Sequence, residues 1–388
     1  MSPPELFFPQ DEPELSDWLR SRTSEVGPIV TGANDIQPEN WEPGAFGATG
    51  HALVSTAHMA AVTSFRPRDL TIEVGAGVRV KHLRKIVEDE GLWIPTAGIG
   101  TARSVGGWIA AASPGMWDSS HGPVRRQLLG CRVIAPDGTD LTWGRAVMKN
   151  VAGYDLPRLM AGSRGRLGIM TRVTIRLWPR PEAISAWEIR GEEQPFVPGA
   201  SEADTVVWRW TRKEGASVRA VFVGSTKSVQ RRERALATRV RAPSAHIVEI
   251  DASRQPGMGR GERRPGSTVY RLTPGRGYLP PTFTELVGQH HPGLTAIEAN
   301  PDSGSLLLFI EPDSTHPDPA RELQSHFTSS DSRTAGSAAR RPEIGIERGG
   351  IAEHEAANKL RAPGMRAIER RIERALGAWP RSWQADYL

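Results

Sequence analysis

The stretch VMKNVAGYDLPRLMAGSRGRLGIMTRVTIRLWPRP, residues 147–181, decides the reading of this chain. Its second half alternates Ile169, Thr171, Val173, Ile175 and Leu177, the period of a half-buried β-strand. Pro179 and Pro181 then stop the strand, and a domain boundary is expected there. The run AGSRGRLGI within it is poor in side chains, and so is GIGTARSVGGWIAAASPG, residues 98–115. Bare backbone lets a flat ligand or a pyrophosphate come within hydrogen-bonding distance of amide N–H groups, so the two runs can share one ligand. The same glycines would equally serve tight turns and close packing of a helix on a strand.

Working outward, DEPELSDWLRSR (11–22) reads as a helix capped by Asp11, with Leu15, Trp18 and Leu19 on one face. PIVTG (28–32), ALVST (52–56) and LTIEVGAG (70–77) read as strands, and RVKHLRKIVEDEG (79–91) as a helix ending at Gly91. SVGGWIAAAS (104–113) has the small residues of a helix that approaches another backbone closely, and Asp137-Gly138 splits 127–144 into a hairpin. Beyond residue 182, ISAWEI, TVVWRW, VRAVFVG, HIVEID, STVYRL and SLLLFIEP are strand-like. Helix candidates lie at 225–240 and 318–327, which makes an α+β pattern. Residues 252–267 and 328–343 are too polar and too rich in Gly, Pro and Ser to pack, so they read as mobile loops. Near the end, Ile368, Ile372, Ala375 and Leu376 form one apolar stripe that must dock on something.

Composition excludes several classes. At 388 residues the chain is two ordinary domains long, since a single core rarely grows past roughly 250 to 300 residues. With 38% hydrophobic and 24% charged residues it is globular, and 40 Gly with 31 Pro point to many turns. The longest weakly polar stretch, 105–116, contains Pro114 and three glycines and is too short to span a bilayer. The N-terminus carries acids where a secretory signal needs bases, so a cytoplasmic location is expected, with any membrane association through a partner. The single Cys131 excludes a Cys-ligated iron–sulfur cluster or zinc ribbon within the chain. The charge of +5 is small, and acids interleave the bases of 231–241 and 259–264, which favours a solvated face over nucleic-acid binding.

Common site motifs fail when tested literally. Gly75-Ala76-Gly77 and Gly98-Ile99-Gly100 lack the third glycine of GxGxxG, and there is no GxxxxGK[ST]. HEAAN (354–358) lacks the second histidine of HExxH, and Gly162-Ser163 is no GxSxG elbow. His290-His291 sits in a turn-like QHHPG and reads as surface loop, so no metal ligand and no catalytic residue is assigned.

Residues 50–182 resemble the FAD-binding domain of the vanillyl-alcohol-oxidase, or PCMH, type. Within that family, KNVAGYDL followed by the GSxGxLGI run is similar to the FAD-binding subunit of glycolate oxidase. LTIEVGAGVRVKHLRKIVEDEGLWIPTAG and SVGGWIAAASPG stand upstream in the family's order. The resemblance implies a pyrophosphate turn after an early strand, here Thr31, Gly32, Ala33, Asn34 and Asp35, with one glycine where several are usual. The absence of histidine in that turn implies noncovalent FAD. A second contact stretch would use Pro95, Gly98, Thr101, Ser104, Gly106, Gly107, Ala110, Ser113 and Gly115 against the pyrophosphate, ribityl chain and flavin. A third would place Gly162, Gly168 and Ile169 beside the flavin or adenine, with Lys149, Asn150 and Tyr154 shaping the adjoining loop. Arg126 stands where the family has an acid, and Arg166 where it has a small hydroxyl residue, putting two extra cations near the cofactor.

The expected fold is therefore α+β. Residues 1–182 form a PCMH-type FAD-binding domain of two α+β subdomains, and residues 183–327 an α+β, ferredoxin-like cap that holds the substrate. Residues 328–350 form a flexible loop, and residues 351–388 a helical segment that returns to the FAD domain. The implied function is an FAD-dependent oxidoreductase subunit acting on a 2-hydroxy acid, with hydride leaving for flavin N5. The implied partners are a second, catalytic FAD-containing subunit and an iron–sulfur subunit; Trp379 and Trp383 serve partner docking or core packing equally well. The alternative is an assembly scaffold with the same fold and a degenerate FAD site.

Overall fold

The computed structural model describes residues 6–22, 29–32, 52–95, 104–112, 117–144, 156–190, 203–239, 246–250, 268–273, 294–300, 305–310 and 343–348. The first half carries β1 (Leu6–Phe7), α1 (Glu12–Ser21), β2 (Ile29–Gly32), β3 (Leu53–Ser55), β4 (Val62–Arg66), β5 (Thr71–Gly75), α2 (Val80–Glu88) and β6 (Leu92–Trp93). There follow α3 (Val105–Ala111), α4 (Asp118–His121), α5 (Val124–Gln127), β7 (Leu128–Ile134), β8 (Asp140–Gly144), α6 (Pro157–Met160), β9 (Ile169–Arg176) and β10 (Trp178–Pro179). The second half carries β11 (Ala183–Arg190), β12 (Thr205–Thr211), β13 (Gly215–Gly224), α7 (Thr226–Arg239), β14 (His246–Ile250), β15 (Thr268–Thr273), β16 (Leu294–Asn300), β17 (Ser305–Ile310) and β18 (Glu343–Arg348).

Local chemistry accounts for the first elements. The Asp11 carboxylate accepts the Glu14 N–H at 2.9 Å and starts α1, whose Leu15 and Leu19 enter a core with Val54, Met59, Ile134 and Ile169. In α2, Val80, Leu83 and Val87 are buried at helical spacing, and Gly91, at φ +68°, turns the chain out. Gly138, at φ +78°, closes the β7–β8 hairpin at the Asp137-Gly138 pair.

Two sheets make the first half. β1, β3 and β2 form a parallel sheet with β3 central. An antiparallel sheet runs β4-β5-β9-β7-β8. One face of this five-stranded sheet packs Ile72, Val74, Cys131, Val133, Val173 and Ile175 against α2 and α3 through Leu83, Val105, Trp108 and Ile109. Burial pushes the Cys131 thiol up to about 12, so it is an inert core residue.

The second half is an antiparallel sheet of eight strands, β14-β11-β13-β12-β16-β17-β15-β18, with α7 on one face against Val218, Ala220 and Phe222. It is wider than the ferredoxin-like unit expected for the cap. The segment 328–350, expected to be a flexible loop, contains β18, which pairs with β15, so the sheet continues past residue 327. The helix candidate at 318–327 and the C-terminal segment 351–388 lie outside the described residues. On α7, Glu233 turns inward and accepts from the Ser185 hydroxyl and the Trp187 indole N–H, while Lys227, Arg231 and Arg234 are exposed.

Candidate cofactor site

Three segments meet at one seam in the first half. β5 runs into Gly75-Ala76-Gly77, and the loop after β3 lies across it. A Cβ on Gly75 would stand 2.0 Å from the Met59 carbonyl oxygen, and one on Gly77 would stand 2.0 Å from that of Thr56, so both positions demand glycine. α3 closes the seam from the other side. The N–H groups of Val105 and Gly106 donate to the carbonyls of Val78 and Ala76, each at 2.8 Å. Ser104, buried at the N-cap, accepts the Gly107 N–H at 3.1 Å. At the far end of α3, Gly162 N–H donates to the Ile109 carbonyl at 3.1 Å and Arg164 N–H to that of Ala110 at 3.0 Å. The two side-chain-poor stretches thus pack directly on one another.

The residues singled out from sequence fall into three groups. Ala33, Asn34, Asp35, Gly98, Thr101, Ser113 and Gly115 lie outside the described residues, as do Lys149, Asn150, Tyr154, His290, His291, Trp379 and Trp383. Gly32 ends β2, Pro95 is buried just after β6, and Ala110 and Ile169 are fully buried. The remaining glycines have packing roles. A Cβ on Gly106 would stand 2.8 Å from that of Ala76, and one on Gly168, at φ +140°, would stand 2.7 Å from the Ile134 carbonyl. The N–H groups of Gly106, Gly107, Gly162 and Gly168 are all bonded within the protein, so the amide grip on phosphate expected of this pattern is not on offer at these four positions. Of the two extra cations, Arg126 is exposed with its stem over Gly122, and Arg166 is half-buried in the turn after Ser163.

Two hydroxyls that sequence reading passed over fit a ligand better. Thr56 Oγ1 and Ser163 Oγ are buried without a hydrogen-bond partner. An unsatisfied buried hydroxyl costs about 1–3 kcal/mol, which a ligand rich in phosphate and hydroxyl oxygens relieves. Thr56 lies beside Gly77 near the start of α3, and Ser163 sits in the turn at its end. At 1.5 Å per residue the seven-residue helix separates them by roughly 10 Å, well within the length of a dinucleotide. The only trace in the sequence is a hydroxyl residue just after β3 and another inside GSRG.

A second cluster joins the two halves. Trp93, Trp117 and the half-buried Trp178 pack against Ala186, Val207, Val221, Leu307 and Phe309 of the eight-stranded sheet. His121 stands among the three indoles, with ring centroids 4.9, 6.1 and 5.5 Å from those of Trp93, Trp117 and Trp178. Its Nδ1 lies 2.8 Å from the Ser120 hydroxyl. Burial holds its pKa below the usual histidine value, and the Arg176 guanidinium adds to this while Asp204 opposes it. Trp117 Nε1 and Arg176 Nε are buried here without partners.

A seam between two α/β sheets, followed by a wide antiparallel sheet docked on it, is the architecture of the PCMH-type flavoproteins. Residues 3–144, less than half of the chain, match the family described as FAD binding domain. The chain is 36% identical over 171 residues to glycolate oxidase subunit GlcE of Escherichia coli (strain K12), covering 44% of this chain and 47% of the relative. It is 30% identical over 182 residues to the mitochondrial D-lactate dehydrogenase [cytochrome] of Arabidopsis thaliana, covering 46% of this chain and 31% of the relative. In both cases less than half of the relative's length is spanned. Among solved structures, p-cresol methylhydroxylase with substrate bound shares the fold at a TM-score of 0.68 and 11% identity, over 96% of this chain and 86% of that one. Among the described residues no three His, Cys, Asp or Glu side chains gather to hold a metal, and no helix is long and apolar enough to cross a membrane.

Proposed function

We propose that this protein is an FAD-dependent oxidoreductase acting on the CH–OH group of a 2-hydroxy acid, as the FAD-binding subunit of a glycolate-oxidase-like assembly. The observation that carries the reading is an FAD-binding domain whose seam leaves the Thr56 and Ser163 hydroxyls buried and unpartnered, on a chain whose relatives there are named for glycolate and D-lactate oxidation. FAD, when bound, supplies the hydride acceptor at flavin N5. The protein's own part is to bind and orient. Thr56 and Ser163 donate to the cofactor's oxygens, while Gly75, Gly77, Gly106 and Gly168 bring the walls close enough for them to reach. The turn at 31–35 and residues 95–115 and 162–169 complete the proposed contacts. The domain limit at 182 belongs to the same proposal, as do a second flavoprotein subunit and an iron–sulfur subunit as partners.

A second reading has its own support. The engaged N–H groups of Gly106, Gly107, Gly162 and Gly168, with the single glycine of the turn at 31–35, suit a scaffold whose FAD site has decayed. Anaerobic addition of glycolate or D-lactate to the purified protein, alone and with its copurifying subunits, separates the two. Bleaching of a bound flavin's visible absorption supports the redox reading, and a flavin that never bleaches in any combination refutes it.

A further inference from the structure

The five-stranded sheet has a second face, opposite the one that packs on α3. Strand register places Ser64, Glu73, Thr174, Gly130 and Gly144 in one row across all five strands. Two neighbouring members of the row lack side chains, so bare backbone of β7 and β8 floors a cavity of about 620 Å³. The next row raises Arg132 and Arg172 on one side, and Arg66 of the edge strand β4 stands on the other. The volume is that of a metabolite site.

The charges around it are unevenly used. Arg132 is spent on Asp140, with three short contacts of 2.5–3.1 Å, and on Glu12 at 3.2 Å. Arg172 gives only its Nε, to Glu12 at 2.8 Å. Arg66 makes no ion pair among the described residues. Glu73 accepts from the Thr63 and Thr174 hydroxyls, at 2.7 and 3.2 Å, rather than from any guanidinium. The cavity therefore presents the whole fork of Arg66 and the terminal nitrogens of Arg172 as open donors, beside a carboxylate with lone pairs to spare. A bare anion would meet the guanidiniums but also the charge of Glu73. An anion that carries hydroxyl donors satisfies both.

We propose that this cavity binds a small hydroxylated organic anion, its carboxylate or phosphate group held between Arg66 and Arg172 and a hydroxyl donated to Glu73. The sheet itself separates this ligand from α3 and the cofactor seam, so the two sites fill independently.

Isothermal titration of the full-length protein at low ionic strength tests this, with 3-hydroxypropionate, glycerol 3-phosphate and inorganic phosphate as probes. None of them is a 2-hydroxy acid, so none mimics the proposed redox substrate. Saturable binding of one hydroxylated probe is expected, and which of the two binds tells carboxylate from phosphate. Arg66→Ala should weaken it tenfold or more, because Arg66 supplies charge-assisted bonds, and Glu73→Gln should also weaken it. Visible flavin absorption should stay unchanged in both variants. Arg66 is exposed on an edge strand, so its loss leaves the fold intact. Absence of saturable binding, or unchanged binding in Arg66→Ala, overturns the site. Inorganic phosphate binding as tightly as glycerol 3-phosphate, with no effect of Glu73→Gln, overturns the hydroxyl requirement.

Discussion

Replacing Gly77 by alanine tests the seam at its tightest point. The added Cβ would lie 2.0 Å from the Thr56 carbonyl oxygen, 2.9 Å from its carbon and 3.1 Å from the Met59 oxygen. All three are backbone atoms, so no side chain can swing aside, and the loop from Thr56 to Met59 must retreat by about 1 Å. Overpacking of this kind costs about 1–3 kcal/mol. Strain on the 3.0 Å bond from Gly77 N–H to the Met59 carbonyl adds about 1 kcal/mol. The smaller conformational freedom of alanine in the unfolded chain returns about 0.4–1 kcal/mol. The net loss is about 1–3.5 kcal/mol, which lowers the melting midpoint of the first half by roughly 2–14 °C. Because the displaced loop carries Thr56, FAD uptake should fall as well. Gly215→Ala is the control. At φ +73° with nothing within 4 Å of its Cβ, it costs only the left-handed strain of about 1–2 kcal/mol and leaves FAD uptake intact. Calorimetry and fluorimetric FAD titration read both quantities. If Gly77→Ala melts and binds FAD like the parent protein, the close approach of the two subdomains at Gly77 is wrong.

The remaining expectations concern single groups. Thr56→Val removes a buried hydroxyl that has no partner, so the protein stripped of cofactor should be as stable as the parent or more so by about 1 kcal/mol, while its FAD dissociation constant rises about tenfold. His121 is held neutral in the folded protein, so as pH falls below the unfolded value of 6.5 the unfolded chain takes up its proton first. Stability therefore declines from there until the depressed folded pKa has been passed, and urea midpoints between about pH 7.5 and pH 5 should fall less steeply in His121→Phe than in the parent. Cys131, with its thiol pushed up to about 12 and its side chain in the core, should resist iodoacetamide in the native protein and react fully once unfolded.

Periodicity made most of the framework legible. The α1 cap at Asp11, the stripe of Val80, Leu83 and Val87 and the Asp137-Gly138 hairpin all follow from local chemistry that tertiary packing reinforces. What escaped has a physical reason in each case. β4, VTSFR, is a polar edge strand that turns only Phe65 to the core, so it offers no apolar alternation. β16, LTAIEAN, is bracketed by Pro292 and Pro301 and broken by a register shift, and both features mask its period. Glu233 reads as a surface acid on a basic helix until Ser185 and Trp187 are seen beneath it. The two side-chain-poor runs that composition singled out do pack on one another, but composition did not show the job of each glycine. Close approach and ligand contact both select glycine, and only the neighbours of Gly106 and Gly168 tell them apart. The Thr56 and Ser163 hydroxyls were invisible because want of a partner is a property of the packed interior.

The most direct test of the account is to denature the purified protein, release what it carries and identify it by mass, with reconstitution in excess FAD as the companion arm. One noncovalent FAD per chain is expected, bound about tenfold more weakly in Thr56→Val. A protein that yields no FAD and takes up none from excess would contradict the cofactor seam, and with it the oxidoreductase reading.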